Sequence, residues 1–215
     1  MGRHVTRLTV DALETIEAPC RDCVFWELDP VRRAAAVGHE REAKAAWVSH
    51  VLREWGSCGR VLTVDDTYAG HIIWAPPVFV PGAAGFATAP VSEDAVLLAA
   101  AWVAPAFRGG GLGRVLVQSM AKDLIGRGGI RAVEAFGDTR TAPVPGTSPS
   151  CVLPADFLGA VGFATQRAHA RFPRMRMDLG SAISWRGELE AALERLRSRP
   201  VRHRRPAPQA PRGAR

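Results

Sequence analysis

The stretch from residue 95 to residue 125 constrains the fold of this chain more than any other. It opens with a continuous apolar run, Ala95 to Val103, which is typical of a buried β-strand. Pro105 ends that strand because proline has no amide hydrogen to donate to a ladder. A glycine-rich loop follows, and apolar residues then recur at the spacing of one helical stripe: Leu112, Leu116, Met120 and Leu124. The sequence therefore predicts a strand, a glycine-rich turn and a helix in direct succession.

The glycine-rich turn predicts a binding site for an anion. The first amides of a helix have no partner within it, and the aligned peptide dipoles leave partial positive charge there. Gly109–Gly111 and Gly113 carry no side chain that would hold a phosphate away from those amides. Arg108 adds a positive charge beside them. We therefore expect the turn to hold a pyrophosphate mainly through its backbone.

Two common phosphate-binding motifs do not fit this turn. A Walker loop ends in Gly-Lys-Ser/Thr, whereas Gly113 is followed by Arg114. A dinucleotide-binding fingerprint needs a third glycine, which would fall at Arg114, and an acidic residue at the end of the next strand. Glu134 lies inside that strand instead.

The residues from Arg108 to Gly113 match the Arg/Gln-x-x-Gly-x-Gly/Ala signature of the GNAT acetyltransferase superfamily. Val103-Ala-Pro105 before them, and a short predicted helix that runs into Gly162-Phe163, resemble the same superfamily. The resemblance covers about residues 3–180 and is strongest over residues 93–137. The alternative explanation is a tight connection from strand to helix, which accounts for one glycine but not for four within five positions.

This resemblance implies an α/β (α+β) fold: a GNAT-like mixed, mostly antiparallel central sheet, with helices on both faces and a splayed strand pair. In that superfamily the turn binds the pyrophosphate of acetyl-CoA, and pantetheine lies between the splayed fourth and fifth strands. The implied co-substrate is acetyl-CoA, and no metal is expected. The implied cofactor-binding residues are Trp102, Val103, Arg108, Gly109, Gly110, Gly111, Leu112, Gly113 and Arg114.

The remaining pattern supplies the other elements of the resembled fold. A first strand leads into a short helix, for which Thr9 or Asp11 is the predicted cap. Asp29-Pro30 then begins a single predicted helix that runs to about Trp55. The next two strands form a hairpin that turns at Asp65-Asp66. Residues 171–179 are predicted to complete the edge of the sheet.

The positive charge of the chain is concentrated at its C-terminal end. The formal net charge is +7, but all 21 Asp and Glu residues precede Arg195, and eight of the 28 Lys and Arg residues lie from there onward. We therefore predict a GNAT-like domain over residues 1–180, an accessory helix over 181–198 and a disordered Arg/Pro-rich tail over 199–215. The tail is either a solvated extension or a weak contact for nucleic acid or another anionic surface. Because no membrane span and no apolar signal core are evident, we expect a cytoplasmic protein.

The cysteines leave metal binding open as an alternative. Cys20-x-x-Cys23 resembles half of a zinc site or a redox pair. A structural zinc needs four ligands, however, and Cys58 and Cys151 are isolated in the sequence. Free thiols, buried or partly buried, are the other interpretation for a cytosolic chain.

Direct acetylation of an amine needs a polarised thioester carbonyl, an acceptor that loses a proton, and a proton for the leaving CoA thiolate. The resemblance implies that a backbone amide within residues 101–103 polarises the carbonyl. The usual acid of the superfamily is a tyrosine five positions before the Phe of Gly-Phe, which here is Leu158, and the only tyrosine in the chain is Tyr68. Cys151 is a candidate acid because thiol pKa values fall at helix N-termini. Water, or Cys151 as a merely packed thiol, is the alternative.

Two side chains are candidates for the base. Glu134 lies within the fifth strand, where a carboxylate removed from water becomes a better base. The alternative for Glu134 is a solvent-facing position on an alternating strand. His71, on the third strand, has a suitable ordinary pKa, and its alternative role is structural.

The predicted function is an N-acetyltransferase that moves an acetyl or similar acyl group from acetyl-CoA to a primary amine of a small molecule or protein, as a monomer or homodimer. One alternative is a non-catalytic acyl-CoA-binding sensor or interaction module of the same fold, which the missing tyrosine supports. Another is a nucleic-acid-associated protein that works through its tail. The acceptor is not identified, because the segments expected to form its pocket (residues 11–30, 75–94 and 138–152) carry no readable motif.

Overall fold

The computed structural model describes residues 2–16, 19–140 and 151–180. The predicted accessory helix and the Arg/Pro-rich tail lie outside the described residues, as does most of the predicted pocket segment over residues 138–152. The strands are β1 (Arg3–Arg7), β2 (Gly59–Val64), β3 (Thr67–Ala75), β4 (Ala95–Val103), β5 (Ala132–Asp138), β6 (Leu153–Pro154), β7 (Ala164–Arg167) and β8 (Arg174–Asp178). The α-helices are α1 (Val10–Glu14), α2 (Pro30–Ala35), α3 (Glu40–Glu54), α4 (Leu112–Arg127) and α5 (Ala155–Ala160). Within these ranges, none of the helices combines the length and the apolar character that crossing a membrane requires.

The strands form one mixed sheet. Their order is β1-β2-β3-β4-β5-β8-β7, and β6 pairs with β5 outside this order. The β4–β5 and β5–β6 pairs are parallel, and the remaining pairs of the described strands are antiparallel. The predicted mixed, mostly antiparallel sheet is therefore confirmed.

Helices cover both faces of the sheet because successive strand residues point to opposite sides. On one side, here called the α3 face, Leu13 of α1 and Val51 of α3 belong to the same buried core as Phe136 of β5. On the other, the α4 face, Leu116 of α4 and Leu158 of α5 pack together with alternate strand residues. The two faces enclose separate cores, as the predicted fold requires.

The predicted signals at helix starts and at the hairpin turn are confirmed. The Thr9 side chain accepts a hydrogen bond within the first turn of α1. Asp29 accepts two at the start of α2, where proline occupies the first helical position. Asp65 and Asp66 have φ values of 47° and 61°, which is the left-handed geometry of a two-residue hairpin turn between β2 and β3.

The structure corrects two predicted elements. The segment over residues 30–55 forms two helices rather than one, because the chain turns at Gly38, whose φ of 86° is left-handed. β8, which was predicted at the sheet edge, lies between β5 and β7. The side chains of Met175 and Met177 in β8 are buried, whereas every residue of β7 is exposed, so β7 is the edge strand.

Candidate functional site

The glycine-rich turn leaves the start of α4 open. A short 3-10 turn, Pro105–Phe107, leads into it from β4. Gly109 and Gly111 have left-handed φ values of 81° and 75°, which residues with side chains rarely adopt. Gly111 caps α4 without a side chain, and residues 108–111 are exposed. The first amides of α4, at the positive end of its dipole, are thus arranged as the predicted anion site requires.

Arg108 lies across the end of β4. Its Nε donates a hydrogen bond to the carbonyl oxygen of Val103 over 2.9 Å. Its guanidinium carbon lies 5.0 Å from the centroid of the Trp102 ring, which is a cation–π contact. These two contacts hold a positive charge between the strand end and the glycine-rich turn.

The last two residues of the predicted set, Gly113 and Arg114, lie against α5. A Cβ on Gly113 would come within 2.8 Å of the Phe157 ring, so only glycine allows this close approach of the two helices. Nη2 of Arg114 donates to the carbonyl oxygen of Ala160 over 2.7 Å. Gly113 and Arg114 therefore help to position the start of α4.

β4 and β5 diverge beside this turn. Their parallel pairing is limited to Ala95–Leu97 with Ala132–Glu134. β4 continues to Val103 and β5 continues to Asp138. The residues of β4 are buried up to Ala99 and only half-buried from Ala100 onward. We call the space between the unpaired ends of these strands the β4–β5 gap, and it corresponds to the splayed strand pair that the family resemblance implied.

The register of β4 directs particular amides into the gap. A bulge interrupts the β3–β4 pairing at Ile73/Trp74. Beyond it, the Ala104 amide donates to the carbonyl oxygen of Ala69 over 2.9 Å, on the β3 side. Because successive residues of a strand alternate between its two edges, the amides of Ala101 and Val103 face the gap.

β6 borders the gap from the β5 side. The amide of Gly137 donates to the carbonyl oxygen of Pro173 over 2.9 Å, on the β8 side of β5. β6 pairs in parallel with Gly137 and Asp138. Because successive amides of a strand point to opposite edges, this pairing lies on the edge of β5 that faces away from β8. The segment that follows Cys151 therefore lies at the far end of the gap.

Aromatic side chains cover the α3 face beside the gap. The Trp26 ring stacks on the rings of Phe86 and Phe136, with centroids 5.2 Å and 5.8 Å apart. Phe172 meets Phe86 edge-on at 5.4 Å. We call these four side chains the aromatic cluster. Trp26 and Phe86 come from two of the segments predicted to form the acceptor pocket, and the structure brings them together against β5.

The Cys151 thiol lies against the thiol of Cys23. Their sulfur atoms are 2.9 Å apart. The hydrogen bond from Cys151 lowers the pKa of Cys23 to about 7. The same contact raises the pKa of Cys151, so the lowered pKa expected of a thiol before a helix is not found.

In the described part of the chain no three His, Cys, Asp or Glu side chains are placed to hold a metal ion, so the zinc alternative gains no support.

We expect Cys23 to be the thiol that a small alkylating reagent such as iodoacetamide modifies first. Because the thiolate is the nucleophile, the rate at Cys23 should fall about tenfold per pH unit below pH 7 and level off above it. Cys58 is fully buried, burial raises its pKa to about 12, and it should stay unmodified in the folded chain. Peptide mapping by mass spectrometry over a series of pH values measures both rates. A midpoint near the ordinary thiol value of 9.0 would contradict this assignment.

Glu134 lies on the α3 face within a cluster of arginines. Its Oε1 accepts from Nη1 of Arg176 over 3.2 Å, and its Oε2 lies 3.1 Å from Nη1 of Arg174. Oε2 also accepts from the amide of Ser92 over 3.1 Å. The side chain is fully buried. With both oxygens engaged, Glu134 has the surroundings of a structural ion pair, and its predicted role as a base stays a prediction that this geometry does not favour.

His71 is fully buried and hydrogen-bonded to the only tyrosine. Its Nδ1 lies 2.7 Å from the hydroxyl oxygen of Tyr68. Burial, with a smaller contribution from the charge of Lys44, lowers the pKa of His71 to about 3. A histidine with that pKa is neutral near pH 7 and takes up a proton poorly, so the geometry favours the structural alternative.

A buried ion pair was not predicted from the sequence. Nζ of Lys44 pairs with Oε1 of Glu27, and both side chains are 2% exposed. Lys44 also donates to the carbonyl oxygen of Cys23 over 3.0 Å. One signal for it exists in the sequence, because Lys44 lies on the same helical stripe as Trp47 and Val51, where an apolar residue is expected. Glu27 has no comparable signal.

The sequence model described as the Acetyltransferase (GNAT) family matches residues 24–143, which is more than half of the chain. No curated protein matches.

Solved structures share the fold. The chain resembles the paia N-acetyltransferase from Thermoplasma acidophilum in complex with coenzyme A, with a TM-score of 0.53 and 13% identity, over 83% of this chain and 99% of that one. An N-acetyltransferase from Staphylococcus aureus Mu50 gives the same four values. The loading GNATL domain of CurA from Lyngbya majuscula has a TM-score of 0.52 and 13% identity, over 84% and 100% of the two chains. The family match spans the β4–β5 gap and the turn, and it shows that this chain belongs to the GNAT acetyltransferase family.

Proposed function

We propose that this chain is an acyltransferase that moves an acetyl or similar acyl group from acetyl-CoA to a primary amine, of a small molecule or a protein, by direct transfer. The observation that carries the proposal is the divergence of β4 from β5 beside the open start of α4. A diphosphate at the amides of Leu112 and Gly113 would let an extended pantetheine arm enter the gap. That the Thermoplasma acidophilum relative was solved with coenzyme A supports the same choice of co-substrate.

The proposed roles follow from the contacts of the turn and the strand. Gly109–Gly111 leave space for the pyrophosphate, and Arg108 supplies charge to it. Trp102 and Val103 would line the pantetheine arm. The amides of Ala101 and Val103, which face the gap, are the donors proposed to polarise the thioester carbonyl.

The proposed reaction exchanges the carbon–sulfur bond of the thioester for a carbon–nitrogen bond. The amine nitrogen attacks the carbonyl carbon, the carbon–sulfur bond breaks, the nitrogen loses a proton and the CoA thiolate gains one. The roles of Cys151, His71 and Glu134 as proton carriers stay predictions. Each of these side chains is already hydrogen-bonded to a neighbour, which does not favour such a role. Water that reaches the gap is the alternative carrier.

Thermal unfolding with acetyl-CoA tests the binding step. A ligand present at 100 times its dissociation constant should raise the melting temperature by roughly 5–10 °C. Arg108→Glu should remove most of this shift, because it reverses the charge beside the helix start. Arg53→Glu, on the exposed side of α3, is the matched control and should retain it. If no acyl-CoA stabilises the unsubstituted chain, the proposal is wrong.

A non-catalytic acyl-CoA-binding module is the second candidate. Two observations favour it: Leu158 is fully buried at the position of the usual tyrosine, and both oxygens of Glu134 are engaged. Release of CoA thiol from acetyl-CoA, measured across a panel of primary amines, separates the two. Stabilisation without amine-dependent thiol release would favour the binding module.

A further inference from the structure

Two thiols from distant parts of the chain face each other next to the aromatic cluster. The sulfur atoms of Cys23 and Cys151 are 2.9 Å apart, although 128 positions separate the residues. A disulfide bond is roughly 2.05 Å long, so closing it requires an approach of less than about 1 Å. Both residues are partly accessible to solvent.

Buried side chains hold the backbone of each thiol in place. Nζ of Lys44 donates to the carbonyl oxygen of Cys23 over 3.0 Å. Nε1 of Trp26 donates to the carbonyl oxygen of Cys151 over 2.9 Å. Lys44 is 2% exposed and Trp26 is 3% exposed. The contact between the two sulfur atoms is therefore fixed from both sides by the interior of the protein.

The two thiols differ in the way a dithiol exchange requires. The hydrogen bond from Cys151 stabilises the thiolate of Cys23 and lowers its pKa to about 7, which gives a nucleophile at neutral pH. Cys151 keeps its proton and is placed to attack Cys23 second. Burial raises the pKa of Cys20 to about 11 and that of Cys58 to about 12, so neither competes as the first nucleophile.

We propose that Cys23 and Cys151 form a redox-active dithiol, which a small disulfide such as oxidised glutathione converts reversibly to a disulfide bond. First, the Cys23 thiolate attacks one sulfur of the oxidant, a mixed disulfide forms, and the oxidant's sulfur–sulfur bond breaks to release a thiolate that takes up a proton. Cys151 then loses its proton and attacks the Cys23 sulfur, which releases the second small thiol. Two protein thiols are oxidised by two electrons, and one small disulfide is reduced to two thiols. This inference does not depend on the proposed acyl transfer.

The test exposes the reduced, folded, full chain to oxidised glutathione, alkylates the remaining thiols in denaturant and maps the peptides by mass spectrometry. We expect one crosslink, between Cys23 and Cys151, with Cys20 and Cys58 alkylated. Dithiothreitol should restore four alkylated cysteines. A crosslink between Cys20 and Cys23, or four free thiols after oxidation, would overturn the proposal. This result comes from the unsubstituted chain, so it does not depend on whether a variant folds.

Variants then separate the two steps. Cys151→Ser should stop at the mixed disulfide, with glutathione retained on Cys23, because the second thiol is missing. Cys23→Ser should take up no glutathione at Cys151. Cys58→Ser is the matched control, and it should form the same crosslink as the unsubstituted chain. Glutathione on Cys151 in the Cys23→Ser variant would contradict the assigned order of attack.

Discussion

Replacing Lys44 by methionine should lower the free energy of unfolding by about 3–5 kcal/mol. The Lys44–Glu27 pair is 2% exposed on both sides, so the substitution leaves the Glu27 carboxylate buried without its counter-ion. It also removes the donor to the carbonyl oxygen of Cys23. Urea unfolding near pH 7 measures the loss.

Two further variants show whether the buried charge is the cause. The chain has one other lysine, Lys122, which is exposed on α4, and Lys122→Met should change stability by less than about 0.5 kcal/mol. Adding Glu27→Gln to Lys44→Met should recover about 2 kcal/mol or more, because the unpaired charge is removed. If Lys44→Met and Lys122→Met changed the free energy of unfolding equally, the buried ion pair would not stabilise the fold.

Replacing Gly111 by aspartate should weaken the binding of acetyl-CoA about 100-fold, which corresponds to about 2.7 kcal/mol. The new carboxylate would stand beside the open amides of α4, where the proposed pyrophosphate lies, and it would compete for the positive end of the helix dipole. Isothermal titration calorimetry with acetyl-CoA measures the change. This expectation depends on the proposed function.

Gly128 provides a control for the strain that the substitution at Gly111 introduces. It lies at the other end of α4 with a φ of 72°, close to the 75° of Gly111, and neither glycine has an atom within 4 Å of an added Cβ. Its ψ of 173° differs from the 8° of Gly111 and lies in a region almost restricted to glycine, so Gly128→Asp should cost at least as much stability as Gly111→Asp. Its affinity for acetyl-CoA should stay unchanged. Equal losses of affinity in both variants would mean that the turn does not hold the pyrophosphate.

The strand, turn and helix around the glycine-rich turn were predictable because their signals are local. The apolar run predicted β4 from Ala95 to Val103, and the structure has those bounds. The helical stripe predicted α4 to about residue 125, and the helix ends at Arg127. Each signal depends on the residues' own backbone preferences and on neighbours a few positions away.

Elements whose limits depend on distant contacts were predicted less well. Nothing in the helical pattern over residues 30–55 marked Gly38 as a break, because a single glycine is tolerated inside many helices. The position of β8 inside the sheet depends on which strand pairs with β5, and its alternation of buried methionines is equally compatible with an edge strand. Which strand pairs with β5 depends on side-chain packing throughout the core and not on the residues of β8 alone.

The sequence by itself determined the family resemblance and the glycine-rich turn with its predicted anion site, because both depend on glycines and a helix start whose signals are local. Only the tertiary structure decided the state of the side chains near the gap. It placed Glu134 between two arginines, buried His71 beside Tyr68 and brought Cys23 against Cys151. Each of these environments joins residues that are remote in sequence or that share a buried space, and spacing along a chain carries no information about such contacts. The chemistry of a titratable group is set by those contacts, and for that reason it could not be read before the fold was known.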